Sequence, residues 1–261
     1  MKIEFLTQDD PLYVLPFFEE FFKTFTREIE VLRVSSCRAM GKRPRIQLLQ
    51  ELLSLYGPVG SIRVAGRLTR ARLLNPLRRK QGAARYDTLA QLCRSYGVRY
   101  EAIGTPNAPE FLDGVRKRGA DVIVSVACPY ILKEQLLNLP PRGCVNIHHA
   151  PLPRYKGMMP TFWQMFHGER NVGVTIHYMV AKIDEGNVLL QDSLEILPGE
   201  SLDHLIRRSK RHGAHCMVHV LQQISAGVQT PKTLDNENST YFTFPTIEEI
   251  RQFHRRGLRA I

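Results

Sequence analysis

Along this chain, short apolar runs of strand length alternate with amphipathic stretches of helical period. Residues 2–6 read as a first strand and residues 12–25 as the helix after it. Residues 29–35 alternate as a second strand. Residues 41–80 then predict an added helical segment, broken at Gly57-Pro58 and at Asn75-Pro76. Beyond it the alternation resumes. Residues 86–96 predict a helix stopped by Gly97, 99–103 a strand, and 109–118 a helix stopped by Gly119. Residues 121–126 form a short and mostly apolar run, as a strand buried in a parallel sheet should. Residues 143–147 predict a strand, 160–168 a helix, and 172–179 and 188–197 two more strands. Ser201 then caps a long helix reaching about residue 224, and a last helix spans 247–254. Strands alternating with helices imply βαβ units, hence an α/β fold with a mainly parallel sheet flanked by helices.

Composition narrows the picture. A chain of 261 residues, 43% apolar, has room for one large α/β domain with at most a small appendage. We expect a main domain over residues 1–230, carrying the 41–80 segment as an insertion, and a C-terminal extension over 231–261. No apolar run approaches the roughly 18–20 residues of a membrane-crossing helix. Glu4, Asp9 and Asp10 interrupt any signal-peptide pattern at the start. The five cysteines (Cys37, Cys93, Cys128, Cys144, Cys216) are scattered and form no CxxC. That points to reduced thiols, a cytoplasmic setting and no metal site. The net charge is +11, and residues 41–85 hold eleven Lys or Arg against one acid, Glu51. The basic signal therefore belongs to the insertion.

Candidate chemistry concentrates after the strand at 143–147. Asn146 and His148 arrive together at its carboxyl end, where open α/β sheets place their sites. A loop carboxylate, Asp184, follows in Ile183-Asp184-Glu185-Gly186. An amide can hold an oxyanion, an imidazole can move a proton, and a carboxylate can favour and orient the charged imidazole. Taken singly, each residue also suits an ordinary turn or solvated loop. Arg154 and Lys156 stand in the following loop as contacts for an anionic substrate, and His149 offers a further imidazole. His177 divides evenly between orienting a loop and sitting satisfied in the core.

The ordered set Asn146-x-His148, Leu152-Pro153, Gly157 and Asp184-x-Gly186 resembles the 10-formyltetrahydrofolate-dependent formyltransferase family. That family includes methionyl-tRNA, glycinamide ribonucleotide and sugar amine formyltransferases. The likeness extends to residues 127–132 and 172–177. It covers roughly residues 98–197, with a weaker echo in the first 35. The resemblance implies a Rossmann-like formyltransferase fold with 10-formyltetrahydrofolate as formyl donor. It implies Asn146, His148 and Asp184 as the catalytic set. It also implies a pterin pocket along Ala127, Cys128, Pro129, Tyr130, Ile131 and Leu132, with Ala181, Ile183 and Asp184 as a second wall. Many members carry Pro-Ser after the His, where this chain has His149-Ala150. After the first strand, the phosphate-cradling Gly-rich loop of the glycinamide ribonucleotide enzymes is replaced by Thr7-Gln8-Asp9-Asp10-Pro11. Two carboxylates repel a phosphate, which disfavours purine synthesis. Asp9 and Asp10 are instead candidates to face a cationic amine, with helix capping the plainer reading for Asp10.

The expected acceptor is thus a small-molecule amine, an amino sugar being one example. After residue 224 too few residues remain for the C-terminal barrel of the methionyl-tRNA enzymes. The insertion lacks an RNA-binding signature, so nucleic acid is disfavoured as a partner. Its mixture of Leu and Arg suits a solvated flap, or peripheral contact of residues 41–80 with the inner face of a membrane. On either reading we expect the insertion to be dispensable for the chemistry. The alternatives are hydrolysis of the same folate, or a catalytically idle membrane- or RNA-binding member of the fold.

Overall fold

Among the described residues one sheet of seven strands carries the fold: β1 (Lys2–Gln8), β2 (Glu30–Cys37), β3 (Arg99–Ile103), β4 (Val122–Val126), β5 (Cys144–His148), β7 (Asn171–Tyr178) and β8 (Val188–Glu195). Their order is β3-β2-β1-β4-β5-β7-β8; the first five run parallel, and β7 pairs antiparallel with both β5 and β8. The computed structural model describes residues 1–37, 45–77 and 79–261, with backbone alone at 45–49 and 52. The first residues of the expected insertion, and residue 78 near its end, lie outside the described residues.

Alternation along β1 sorts the two faces. Ile3 and Phe5 face α1 (Leu15–Thr24), α3 (Leu89–Ser95) and α7 (Leu202–Ala226), with Phe5 set edge-on against Phe18 and Phe21. Leu6 faces α4 (Pro109–Arg118) and the short α5 (Glu134–Leu137). Glu4, on that second face, is buried but accepts two hydrogen bonds from the Arg118 guanidinium, so its charge is paired. A third apolar cluster joins α6 (Pro160–Phe166) to α8 (Ile247–Arg255), with Phe162 stacked on Phe253 at 4.9 Å.

The basic segment forms α2 (Arg45–Leu74), kinked where Gly57 takes φ 66 and ψ 175 ahead of Pro58. It does not stand off as a solvated flap. Leu55 is buried with Phe162 and Phe253 in the third cluster, and His254 Nε2 lies 3.1 Å from the carbonyls of Ser54 and Leu55. Several cations of the basic segment are matched on the body of the protein. Arg67 meets Asp203 at 3.1 Å, and Asp87 receives Arg70 at 2.8 Å and Arg79 at 3.0 Å. Val59, Ile62 and Leu73 remain exposed on its outer side. Among the described residues no helix is long and apolar enough to cross a membrane.

The C-terminal segment braces the loop after β5. β6 (Lys156–Gly157) pairs in parallel with β9 (Tyr241–Phe242), and Trp163 Nε1 donates to the Thr243 carbonyl at 3.0 Å. Two-residue ladders and a four-residue α5 are too short to carry a periodicity, so sequence pattern does not reveal them.

Candidate active site

The carboxyl ends of β1, β4 and β5 open into a cleft closed on its far side by β7 and the β7–β8 loop. Register fixes the first contact. Asn146 on β5 sits directly opposite His177 on β7, so their side chains share a face. Asn146 Nδ2 lies 3.2 Å from His177 Nε2. His177 Nδ1 is 2.8 Å from the Tyr178 carbonyl, which can only accept, so Nδ1 carries the proton. In the neutral ring Nε2 then accepts from Asn146 Nδ2, which fixes the amide's orientation. The second Nδ2 hydrogen is left for a ligand oxygen.

Asp184 reaches the same place from the β7–β8 loop. Gly186 presses that loop onto β7 so closely that a Cβ there would stand 1.8 Å from the Tyr178 carbonyl oxygen. Asp184 Oδ2 accepts from the Gly157 N–H at 3.1 Å and lies 3.6 Å from His148 Nδ1. Its Oδ1 lies 3.6 Å from His177 Nε2. Gly157 has φ 91, and a Cβ there would meet the Phe242 carbonyl at 2.3 Å. Its backbone can therefore approach only as glycine.

Electrostatics divide the roles. Burial alone would raise the Asp184 pKa, yet it falls to about 2, because attraction to the neighbouring His148 and His177 imidazoles and the Gly157 N–H outweigh burial. His148 Nε2 donates to the Tyr155 carbonyl at 2.8 Å. Its pKa is lowered, since desolvation of the buried ring exceeds the pull of Asp184. We expected the carboxylate to hold this imidazole charged. Instead the ring rests neutral near pH 7, with a basic Nδ1 facing a carboxylate that stabilises any proton it takes.

Among the described residues four non-glycines have positive φ: Ala127 (55), Tyr155 (60), Met159 (48) and Asp184 (53). All four edge this cleft or, for Tyr155, hold His148. Unfavourable backbone collected in one place marks a built site.

Two cavities adjoin there. The first, of about 420 Å³, is lined by Asn146, His177 and Asp184 at its base, and by Cys128, Pro129, Tyr130, Ile131, Leu132, Ala181 and Ile183 as walls. The second, of about 370 Å³, is bounded by Ala127, His149, Met159, Phe162, Asp10 and Lys210, with Glu51, Leu55 and Tyr56 of α2 across from them. Consecutive residues, Ala127 with Cys128 and Met158 with Met159, bring the two side by side.

Expected site residues distribute unevenly over these cavities. Ala127, expected in the pterin wall, lines the second cavity instead, because its left-handed backbone turns the chain between the two. Asp10 and His149 also line the second cavity. Asp10 is turned inward as its Oδ1 accepts from the N–H groups of Leu12 and Tyr13. Three expected acceptor contacts lie elsewhere. Asp9 is exposed and lines a separate hollow with Pro11, Leu68 and Tyr100. Arg154 is held outward by Glu169 at 2.8 Å. Lys156 is buried on β6, with Nζ taken by Glu185 at 3.2 Å and Asn236 at 2.8 Å. Sequence reasoning missed Lys210, Glu51 and Tyr56 altogether, since only tertiary packing brings α2 and α7 to one cavity. Among the described residues one set of metal-type donors converges, Asp192, His212 and Cys216. It sits on β8 and α7, lines neither cavity, and His212 already pairs with Asp192 at 3.0 Å.

The family model described as "Formyl transferase" matches residues 80–221, more than half of the chain. The methionyl-tRNA formyltransferase of Trichlorobacter lovleyi is 33% identical over 151 residues, covering 58% of this chain and 48% of that protein. That of Moorella thermoacetica is 37% identical over 132 residues, covering 51% and 42%. The chain thus spans about half the length of the curated relatives it matches. Among solved structures, the N-formyltransferase of Helicobacter canadensis, in complex with folinic acid and dTDP-3-aminofucose, superposes with TM-score 0.59 at 14% identity, covering 100% of this chain and 84% of that one. Phosphoribosylglycinamide formyltransferase of Anaplasma phagocytophilum gives TM-score 0.59 at 16% identity, covering 93% and 97%. At such identities the likeness is one of fold.

Proposed function

The chain belongs to the formyl transferase family, and from that premise we propose that it transfers a formyl group from 10-formyltetrahydrofolate to the amine of a small molecule. The observation that carries this reading is Asn146, His177 and Asp184 gathered at the base of an apolar-walled cavity, with the buried His148 3.6 Å behind Asp184, beside a second cavity suited to an acceptor. The first cavity fits the donor by shape and chemistry. Ile131, Ile183 and Tyr241 give it an exposed apolar mouth for a flat ring system, and Asp184 offers a carboxylate to ring N–H groups.

In this reading 10-formyltetrahydrofolate supplies an electrophilic formyl carbon on a nitrogen leaving group. The acceptor amine forms the new C–N bond, the old C–N bond breaks, and a proton passes from the amine to the departing nitrogen. The free Asn146 Nδ2 hydrogen donates to the formyl oxygen as charge gathers on it. Such a donor contributes on the order of 3 kcal/mol of transition-state stabilisation. His148, neutral at rest, takes the amine proton and returns it, with Asp184 stabilising the imidazolium between the two transfers. His177 orients Asn146 and Asp184 together, since both lie within 3.6 Å of its Nε2.

A small acceptor is favoured because α2 roofs the second cavity with Leu55 and Tyr56 and so limits it to about 370 Å³. An amino sugar is within that size. The test is incubation with 10-formyltetrahydrofolate and a panel of amines, with mass detection of a formyl addition. Formylation of at least one small amine, absent in His148→Ala, is the expected result. Transfer by His148→Ala at the wild-type rate overturns the mechanism.

A further inference from the structure

The second cavity holds two polar groups that the protein itself leaves unused. His149 is 5% exposed, and its Nε2 is buried without a hydrogen-bond partner. Its Nδ1 lies 2.7 Å from Ser209 Oγ. If Nδ1 donated there, the Ser209 hydroxyl hydrogen would have no acceptor among the described residues. If the hydroxyl donates to Nδ1, both groups are satisfied, and Nε2–H is the donor left over. Burial and the neighbouring Lys210 push the His149 pKa well below its usual range, which keeps the ring in this neutral form.

Lys210, the residue after Ser209 on α7, lines the same cavity. It has no hydrogen-bond or ion-pair partner among the described residues. Asp10 attracts it through space without contact. Lysines on protein surfaces ordinarily reach water, and an ammonium held in a walled cavity is costly unless something anionic joins it.

Resting on the formyl-transfer reading above, we propose that Lys210 Nζ and His149 Nε2–H together bind an anionic oxygen group of the acceptor, so that the substrate is a small amine carrying one carboxylate or phosphate. Asp10, beside Lys210 on the same side, limits the charge to one group, since its carboxylate repels a polyanion such as a phosphodiester chain. Val14, Leu55, Met159 and Phe162 leave an apolar body between the two ends. Its amine is then directed toward the adjoining cavity across the Ala127–Cys128 and Met158–Met159 edges.

Calorimetry and NMR on the full chain decide this. Inorganic phosphate serves as a probe free of shape, and glucosamine 6-phosphate against glucosamine, and aspartate against its diamide, serve as matched pairs. The expected result is a phosphate-dependent shift of the His149 ring resonances. At least one acidic probe should bind at least tenfold more tightly than its neutral partner. Lys210→Met should abolish both effects, Lys210→Arg should retain the preference, and affinity for a reduced folate should stay within about twofold in each. No phosphate shift, no preference within either pair, or a preference surviving in Lys210→Met overturns the proposal. A wild-type chain that binds phosphate in this way but no reduced folate overturns the formyl-transfer reading alone.

Discussion

Replacing Asp184 by Asn isolates the charge of the site. The Asn side chain still offers an oxygen to the Gly157 N–H, and Asn tolerates the left-handed backbone at φ 53 as Asp does. What is lost is the negative charge 3.6 Å from two imidazoles. The carboxyl pKa falls from 3.8 to about 2 in the folded chain, burial being outweighed by His148, His177 and Gly157. At about 1.4 kcal/mol per pKa unit this corresponds to roughly 2.5 kcal/mol. Water reaching the cleft and the retained Gly157 bond reduce it to about 1–2 kcal/mol. The sign follows from the lowered pKa: the contribution is present above pH 3.8 and is lost as pH falls toward 2. Part of it also needs a protonated His148, so it declines again as that ring loses its proton below its usual pKa. Urea unfolding of wild type and Asp184→Asn from pH 7 to pH 2 should therefore show the largest difference near pH 4–5. The difference should be smaller at pH 7 and near zero at pH 2. A difference that stays constant across the range, or a variant as stable as wild type throughout, would refute the charge coupling.

Three further outcomes follow from the same geometry. Met159→Gly relieves a left-handed backbone at a cleft edge and should raise stability in denaturant melts by up to about 1 kcal/mol, while slowing formyl transfer. Gly157→Ala drives a Cβ against the Phe242 carbonyl, so it should separate β6 from β9 and lower the melting temperature by several degrees. Lys210→Met removes an ammonium whose pKa burial lowers from 10.5 to about 8. The penalty on that cation is full below pH 8 and relieved between pH 8 and 10.5, so the variant should be more stable by about 1–2 kcal/mol at pH 7 and no more stable above pH 10.5. Equal unfolding midpoints at pH 7 would contradict a confined ammonium.

Much of the fold is legible because the signals are local. Ser201 caps α7 through the His204 N–H, Gly119 ends α4 at φ 65, and Gly57-Pro58 kinks α2. Strand alternation puts Asn146 and His148 on one face, whereas Asp184 is joined to them through the ordered motif that resembles the formyltransferase family. His177 is not decided by such signals. Its pairing with Asn146 depends on the β5–β7 register, which no single strand reveals. Lys210 and Tyr56 are harder still, because only tertiary packing brings α2 and α7 to one cavity. Arg154 and Lys156 mislead in the opposite direction, for their partners Glu169, Glu185 and Asn236 are remote in sequence. The charge of the insertion suggested a solvated flap or a membrane contact, yet Arg67 and Arg70 of α2 fasten a cavity wall through Asp203 and Asp87.

The central claim is that Asn146, oriented by His177, holds the formyl oxygen during transfer. Single-turnover transfer of a ¹³C-labelled formyl group from 10-formyltetrahydrofolate to an accepted amine, followed in wild type and in Asn146→Ala, tests it most directly. The account predicts transfer by the wild type and at least a roughly hundredfold slower step in the variant, with folate affinity within a few-fold. Transfer at near wild-type speed in Asn146→Ala would contradict it.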